Sequence, residues 1–93
     1  MLHTLNKSPV AADLTTLCLF MGDGDDLVLL QDGVLCAVNG ARPLDVLPAA
    51  QIYALAADVE ARGLSAHISP AIRLLDYTEF VTLSEKHTQQ MAW

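Results

Sequence analysis

The chain has 93 residues, with 5 Lys and Arg against 11 Asp and Glu, a formal charge of −6, and 53% hydrophobic side chains. That length supports a single domain over residues 1–93, and the apolar content argues against disorder because burial can offset ordering entropy. The few basic residues, Lys7, Arg42, Arg62, Arg73 and Lys86, are scattered, which argues against direct binding to a nucleic-acid backbone.

Leu2 to Leu5 reads as a first strand that ends in the turn Asn6-Lys7-Ser8-Pro9, since Pro9 disfavours helix at Ser8. From Ala11 onward Leu14, Leu17, Cys18 and Met21 fall at i, i+3, i+4 and i+7, the stripe of an amphipathic helix. Gly22-Asp23-Gly24-Asp25 breaks it. Leu27 to Leu30 is a continuous apolar run and predicts a strand covered on both faces. Val34 to Val38 fits either a strand or a short helix, and the helix, with Asp32 near its N-cap, is favoured. Pro43 and Pro48 bracket an irregular piece, Leu44 to Leu47. Gln51 to Leu55 predicts a third strand, and Ala56 to Arg62 a helix stopped by Gly63. After a turn at Ser69-Pro70, Ile72 to Leu75 predicts a fourth strand. Asp76 to His87 predicts a last helix, capped by Asp76, with Phe80, Val81 and Leu83 partly buried. This alternation predicts an α/β fold, a three-layer α/β/α domain around a mostly parallel sheet of about four strands.

The chemistry is sparse. Cys18 has two readings: a small hydrophobe on the apolar stripe, or a nucleophilic thiol that carries sulfur as a persulfide. Cys36, inside an apolar run, reads as core. His3, His67 and His87 show no ligand spacing and there is no CxxC, so no metal site is expected. His87 beside Lys86 reads as a favourable partner of a helix C-terminus. Gly22-Asp23-Gly24 follows a helix rather than a strand and is no dinucleotide fingerprint. No cofactor is expected. The start of the chain lacks the basic and apolar regions of a signal peptide, and no window gives the roughly 18 apolar residues of a membrane span. With two cysteines outside a secretory context, the expected address is the cytoplasm. A small, strongly apolar domain cannot hide all its apolar surface, so part of it is expected to face another subunit. The apolar tail ending in Met91, Ala92 and Trp93 is expected to dock on its own sheet or on a partner, which makes Met91 and Trp93 interface candidates.

The chain resembles the TusB/DsrH family, the small B subunit of the tRNA 2-thiouridine sulfur-relay complex. The resemblance is carried by Met1-Leu2-His3-Thr4-Leu5 with Ser8-Pro9, by Leu29 to Val34, and by Ala61-Arg62-Gly63-Leu64. Asp76 to Val81, Lys86-His87 and the terminal Gln90-Met91-Ala92-Trp93 carry it further. It implies a DsrE/F/H-like fold and assembly with TusC/DsrF-like and TusD/DsrE-like subunits as a dimer of heterotrimers. There the persulfide sits on a cysteine of the D subunit, and the B chain is mainly structural and touches neither tRNA nor membrane. Cys18 looks like the first-helix cysteine of DsrH-like chains from sulfur oxidisers, whereas the Met-Ala-Trp ending looks more like the TusB branch. The alternatives are thus a sulfur carrier that uses Cys18 in sulfur oxidation, or an interaction module with no sulfur role.

Overall fold

Among the described residues five short strands lie side by side, all parallel, in the order β4-β3-β2-β1-β5. They are β1 (Leu2–Leu5), β2 (Asp26–Leu29), β3 (Ile52–Leu55), β4 (Arg73–Leu75) and β5 (Gln90–Ala92). The helices are α1 (Leu14–Phe20), α2 (Pro43–Val46), α3 (Ala56–Ala61) and α4 (Tyr77–Glu85), with a 3-10 helix over Gln31–Ala37. This computed structural model describes residues 1–48 and 51–93.

The register explains which side chains share a face. Leu27 aligns with Ile52, Leu29 with Ala54, and His3 with Leu27 and Met91. On that face the strands pack against Leu17 of α1, Val59 of α3 and Val34, Cys36 and Ala37 of the 3-10 helix. The opposite face carries Leu2, Val28, Tyr53 and Leu75 against Phe80 and Leu83 of α4. Helices therefore cover both faces of a parallel sheet, as the alternation predicted. Each fully buried Leu or Val contributes about 1.5–3 kcal/mol by leaving water. β2, buried at all four positions, is the centre of both cores.

Several elements differ from the sequence reading. The sheet has a fifth strand beyond the four expected: the tail, expected to dock on its own sheet or on a partner, pairs with β1, with Leu2 opposite Gln90 and Thr4 opposite Ala92. The segment after β2 forms a 3-10 helix with Leu30 at its N-cap and no side-chain cap. Asp32 sits in its first turn and binds Arg62 at 2.9 Å, so it does not cap. The turn into this helix is tight: Gln31 has φ +48, and a Cβ at Gly33 would overlap the Leu5 carbonyl oxygen. Glycine is the residue that allows such a close approach. The piece between the prolines is a short helix, since Pro43 suits a first helical turn. Val81 is 52% exposed, on the outer side of α4, whereas Phe80 and Leu83 are half-buried as expected. Asp76 caps α4 through a reciprocal capping box with Glu79, with Glu79 N–H donating to Asp76 Oδ1 at 2.7 Å.

Candidate functional site

α1 positions Cys18. Asp13 starts that helix by accepting the Thr16 N–H at 3.1 Å and the Thr16 hydroxyl at 2.7 Å, which satisfies an orphan donor and sets the helix phase. The phase sends Leu17 into the core and leaves Cys18 half-buried against α2. Its thiol donates to the Val46 carbonyl oxygen at 3.2 Å. Burial pushes the Cys18 thiol up from its ordinary value. Among the described residues no cation or histidine hydrogen-bonds it. The thiol therefore rests protonated, and a protonated thiol is a poor nucleophile. Cys36 is fully buried, and burial pushes its thiol up to about 11, which fits the core reading.

A second cluster occupies the N-terminal end of the sheet. Asp25 and Asp26, neighbours in sequence, each hold a histidine. His3 is completely buried in β1, with its Nε2 3.0 Å from Asp25 Oδ2 and its Nδ1 3.1 Å from Trp93 Nε1. An indole N–H can only donate, so His3 Nδ1 accepts and the proton of the neutral ring sits on Nε2, donating to Asp25. Asp25 also takes the Met1 amino group at 2.8 Å and the Gly22 N–H at 3.0 Å. The Gly22 N–H, the amino group and His3 together hold the Asp25 carboxyl well below the usual carboxylate range. Asp26 receives His87 at 2.7 Å and the Lys86 ammonium at 3.4 Å. His87 thus has a carboxylate partner beyond the helix terminus.

These pairs were not visible in the sequence. His3 and Asp25 lie 22 positions apart, and His87 and Asp26 lie 61 apart. Only the strand register brings them together. The arrangement ties the start of β1, the start of β2 and the segment before β5 into one end of the sheet. No Ser, Thr or Cys completes either His–Asp pair among their hydrogen bonds, so the geometry describes a clamp and not a nucleophilic triad. Among the described residues no three His, Cys, Asp or Glu side chains gather as metal ligands. No helix among them is long and apolar enough to cross a membrane.

Trp93 docks on its own chain. Its backbone N–H donates to the Thr4 carbonyl at 2.8 Å, and its ring lies 5.5 Å from that of Phe20. Met91 is half-buried in β5. The structure brings Trp93 and α1 together through Phe20 and places Cys18 on the α2 side of the same helix.

A small α/β protein with an all-parallel sheet, a helix-borne thiol and, among the described residues, no nucleophile joined to either His–Asp pair is the class that fold and site define. Residues 7–90 match the family described as DsrH like protein, and the chain belongs to that family. It is 52% identical over 95 aligned residues to Protein TusB of Escherichia coli (strain K12), and 48% identical to Protein TusB of Enterobacter sp. (strain 638). Both alignments cover all of this chain and all of the relative. Among solved structures, the ychN protein from E. coli superposes with a TM-score of 0.79 at 15% identity, covering 99% of this chain and 97% of the other. Protein Tm0979 from Thermotoga maritima superposes with a TM-score of 0.68 at 27% identity, covering 96% and 97%. The ychN likeness concerns the fold alone.

Proposed function

We propose that this chain is the B-type subunit of a persulfide-relay complex that serves 2-thiolation of the tRNA wobble uridine. It acts as a single domain, in the cytoplasm, with TusC/DsrF-like and TusD/DsrE-like subunits in a dimer of heterotrimers. The observation that carries this reading is the end-to-end match to Protein TusB of E. coli. The role is assembly rather than catalysis. A protonated Cys18 with no cation hydrogen-bonded to it among the described residues lacks what activates a sulfur nucleophile, and the scattered basic residues offer no track for tRNA.

A specific observation keeps a second reading open. Cys18 is partly exposed at the edge of the α1–α2 contact, where a persulfide could be reached. In that reading the chain is a DsrH-like carrier, and the complex supplies the missing activation.

Intact-mass measurement after incubation with a persulfide donor separates the two. The chain is loaded alone and together with its C- and D-type subunits. Sulfur on the D-type subunit alone supports the assembly role. A labile adduct of about 32 Da, one sulfur atom, on this chain that disappears in Cys18→Ser supports the carrier role. A chain that neither joins those subunits nor takes sulfur would overturn both and leave a plain interaction module.

A further inference from the structure

Two histidines anchor the tail that carries β5, one at each end. His87, before the strand, places Nε2 2.7 Å from Asp26 Oδ2, and the two side chains are only 6% and 7% exposed. His3, fully buried in β1, accepts the Trp93 indole N–H at Nδ1, 3.1 Å away, and donates from Nε2 to Asp25 at 3.0 Å. Apart from that bond, Trp93 is held by its backbone N–H on the Thr4 carbonyl and by the Phe20 ring. The two anchors answer a proton in opposite ways. A proton on His87 makes its contact with Asp26 an ion pair and strengthens it. A proton on His3 can enter only at Nδ1, the atom that accepts from Trp93. The ring then has two N–H donors and no acceptor, so a donor faces the indole N–H.

The charges around His3 admit that proton. Asp25 faces the ring from the turn before β2. The Gly22 N–H, the Met1 amino group and His3 hold its carboxyl well below the usual range, so it stays ionised in mild acid. The Met1 amino group, 2.8 Å from Asp25 Oδ1, opposes the proton with its own charge. Asp23, in the same turn, is exposed. On the face that His3 shares, β5 sets Met91 in register with it, and α1 carries no charged side chain, its Cys18 thiol turning to Val46 on α2. The 3-10 helix and α3 also cover this face, but their ionic contacts lie past the far end of β2, where Asp58 takes the Gln31 N–H and Asp32 takes Arg62. Glu60 of α3 is exposed. Asp26 is in register with Leu2, which packs under α4, so Asp26, Lys86 and His87 belong to the opposite face.

We infer that the tail is a proton-operated latch: protonation of His3 at Nδ1 frees Trp93 and peels β5 from β1, while His87 and Asp26 hold its root. Mild acid thereby uncovers the edge of β1 and the Phe20 ring and leaves the other four strands paired. The latch uses no relay chemistry and stands apart from the relay reading.

Trp93 is the single tryptophan, so its fluorescence reports the tail. The test follows the emission maximum and acrylamide quenching of the full chain from about pH 8 to pH 5, the range in which histidine changes charge. The expected result is a red shift and stronger quenching as pH falls, with little change in far-UV circular dichroism. His3→Gln can accept the indole N–H and donate to Asp25 without titrating, and it is expected to hold Trp93 at every pH. His67→Gln, at an exposed histidine, is expected to respond as wild type does. An unchanged wild-type emission maximum overturns the latch. A red shift that persists in His3→Gln overturns it too, because another group is then the sensor. So does a loss of circular dichroism in step with the red shift, which marks general unfolding. Should His3→Gln fail to fold, proton NMR of the wild type decides: the His3 ring and the Trp93 indole N–H are expected to titrate with one midpoint, and separate midpoints overturn the latch.

Discussion

His3 and Trp93, 90 positions apart, are joined by an indole N–H that donates to the imidazole at 3.1 Å. The donor fixes the tautomer of a histidine that has no contact with water, and the tautomer in turn aims Nε2 at Asp25. One hydrogen bond thus couples the last strand to the carboxylate at the head of β2.

Trp93→Phe keeps the ring beside Phe20 but removes the donor. His3 Nδ1 is then left buried and unsatisfied, which costs about 1–3 kcal/mol. Urea unfolding is expected to show that loss. Trp93→Ala loses packing as well and is expected to cost more. If Trp93→Phe unfolds at the wild-type midpoint, the indole does not hold His3.

Acid sensitivity is expected to centre on Asp25. Its folded carboxyl lies below the usual range, so it contributes stability above its unfolded pKa, about 3.9, and loses it progressively as pH falls below that value. Asp25→Asn should be less stable than wild type at neutral pH and should lose less between pH 5 and pH 3. Thermal melts across that window check the sign. Parallel curves for the two proteins would remove Asp25 from the account.

Gly33→Ala is expected to be among the most damaging single-methyl changes available. The added Cβ would overlap backbone, the Leu5 carbonyl group, and backbone cannot swing aside as a long side chain can. The cost is at least the roughly 1–3 kcal/mol of overpacking. A thermal shift shows it, and an unchanged melting temperature would mean that the turn after β2 can relax.

The two thiols should differ in reactivity. In native protein a maleimide or disulfide reagent is expected to modify Cys18 slowly at pH 7 and faster at higher pH, because burial keeps it protonated. Cys36 is expected to react only after unfolding, being both fully buried and raised to about 11. Peptide mapping after timed labelling separates them. Equal rates would contradict the burial described for both.

Much of the architecture was legible because it is local. Leu27 to Leu30 announces a strand by an unbroken apolar run, and Leu14, Leu17 and Cys18 announce a helix by phase. Asp76 and Glu79 announce a cap by spacing. β5 carries no such signal. Gln90-Met91-Ala92 has neither β-branched residues nor alternation, and it becomes a strand only because the open edge of β1 accepts it. The 3-10 geometry after Leu30 likewise depends on a close approach to the Leu5 carbonyl that no local pattern announces, whereas Pro43 did carry a local signal for the start of its short helix. The same holds for the candidate site. Cys18 could be singled out from its stripe, but its bond to Val46 spans 28 positions, and the His–Asp pairs depend on register. Pairings at such separations have no local periodicity to betray them.

β1 comes first along the chain and β5 last, yet the two are neighbours in the sheet. A ribosome delivers residues in order, so strands β1 to β4 can emerge and begin to assemble before their final companion exists. During that interval one edge of β1 stays open, and open edges invite pairing with other chains. His3 also waits without its indole donor. Residues 90–93 then act as a closing clasp, because once they pair with β1 that edge no longer invites another chain.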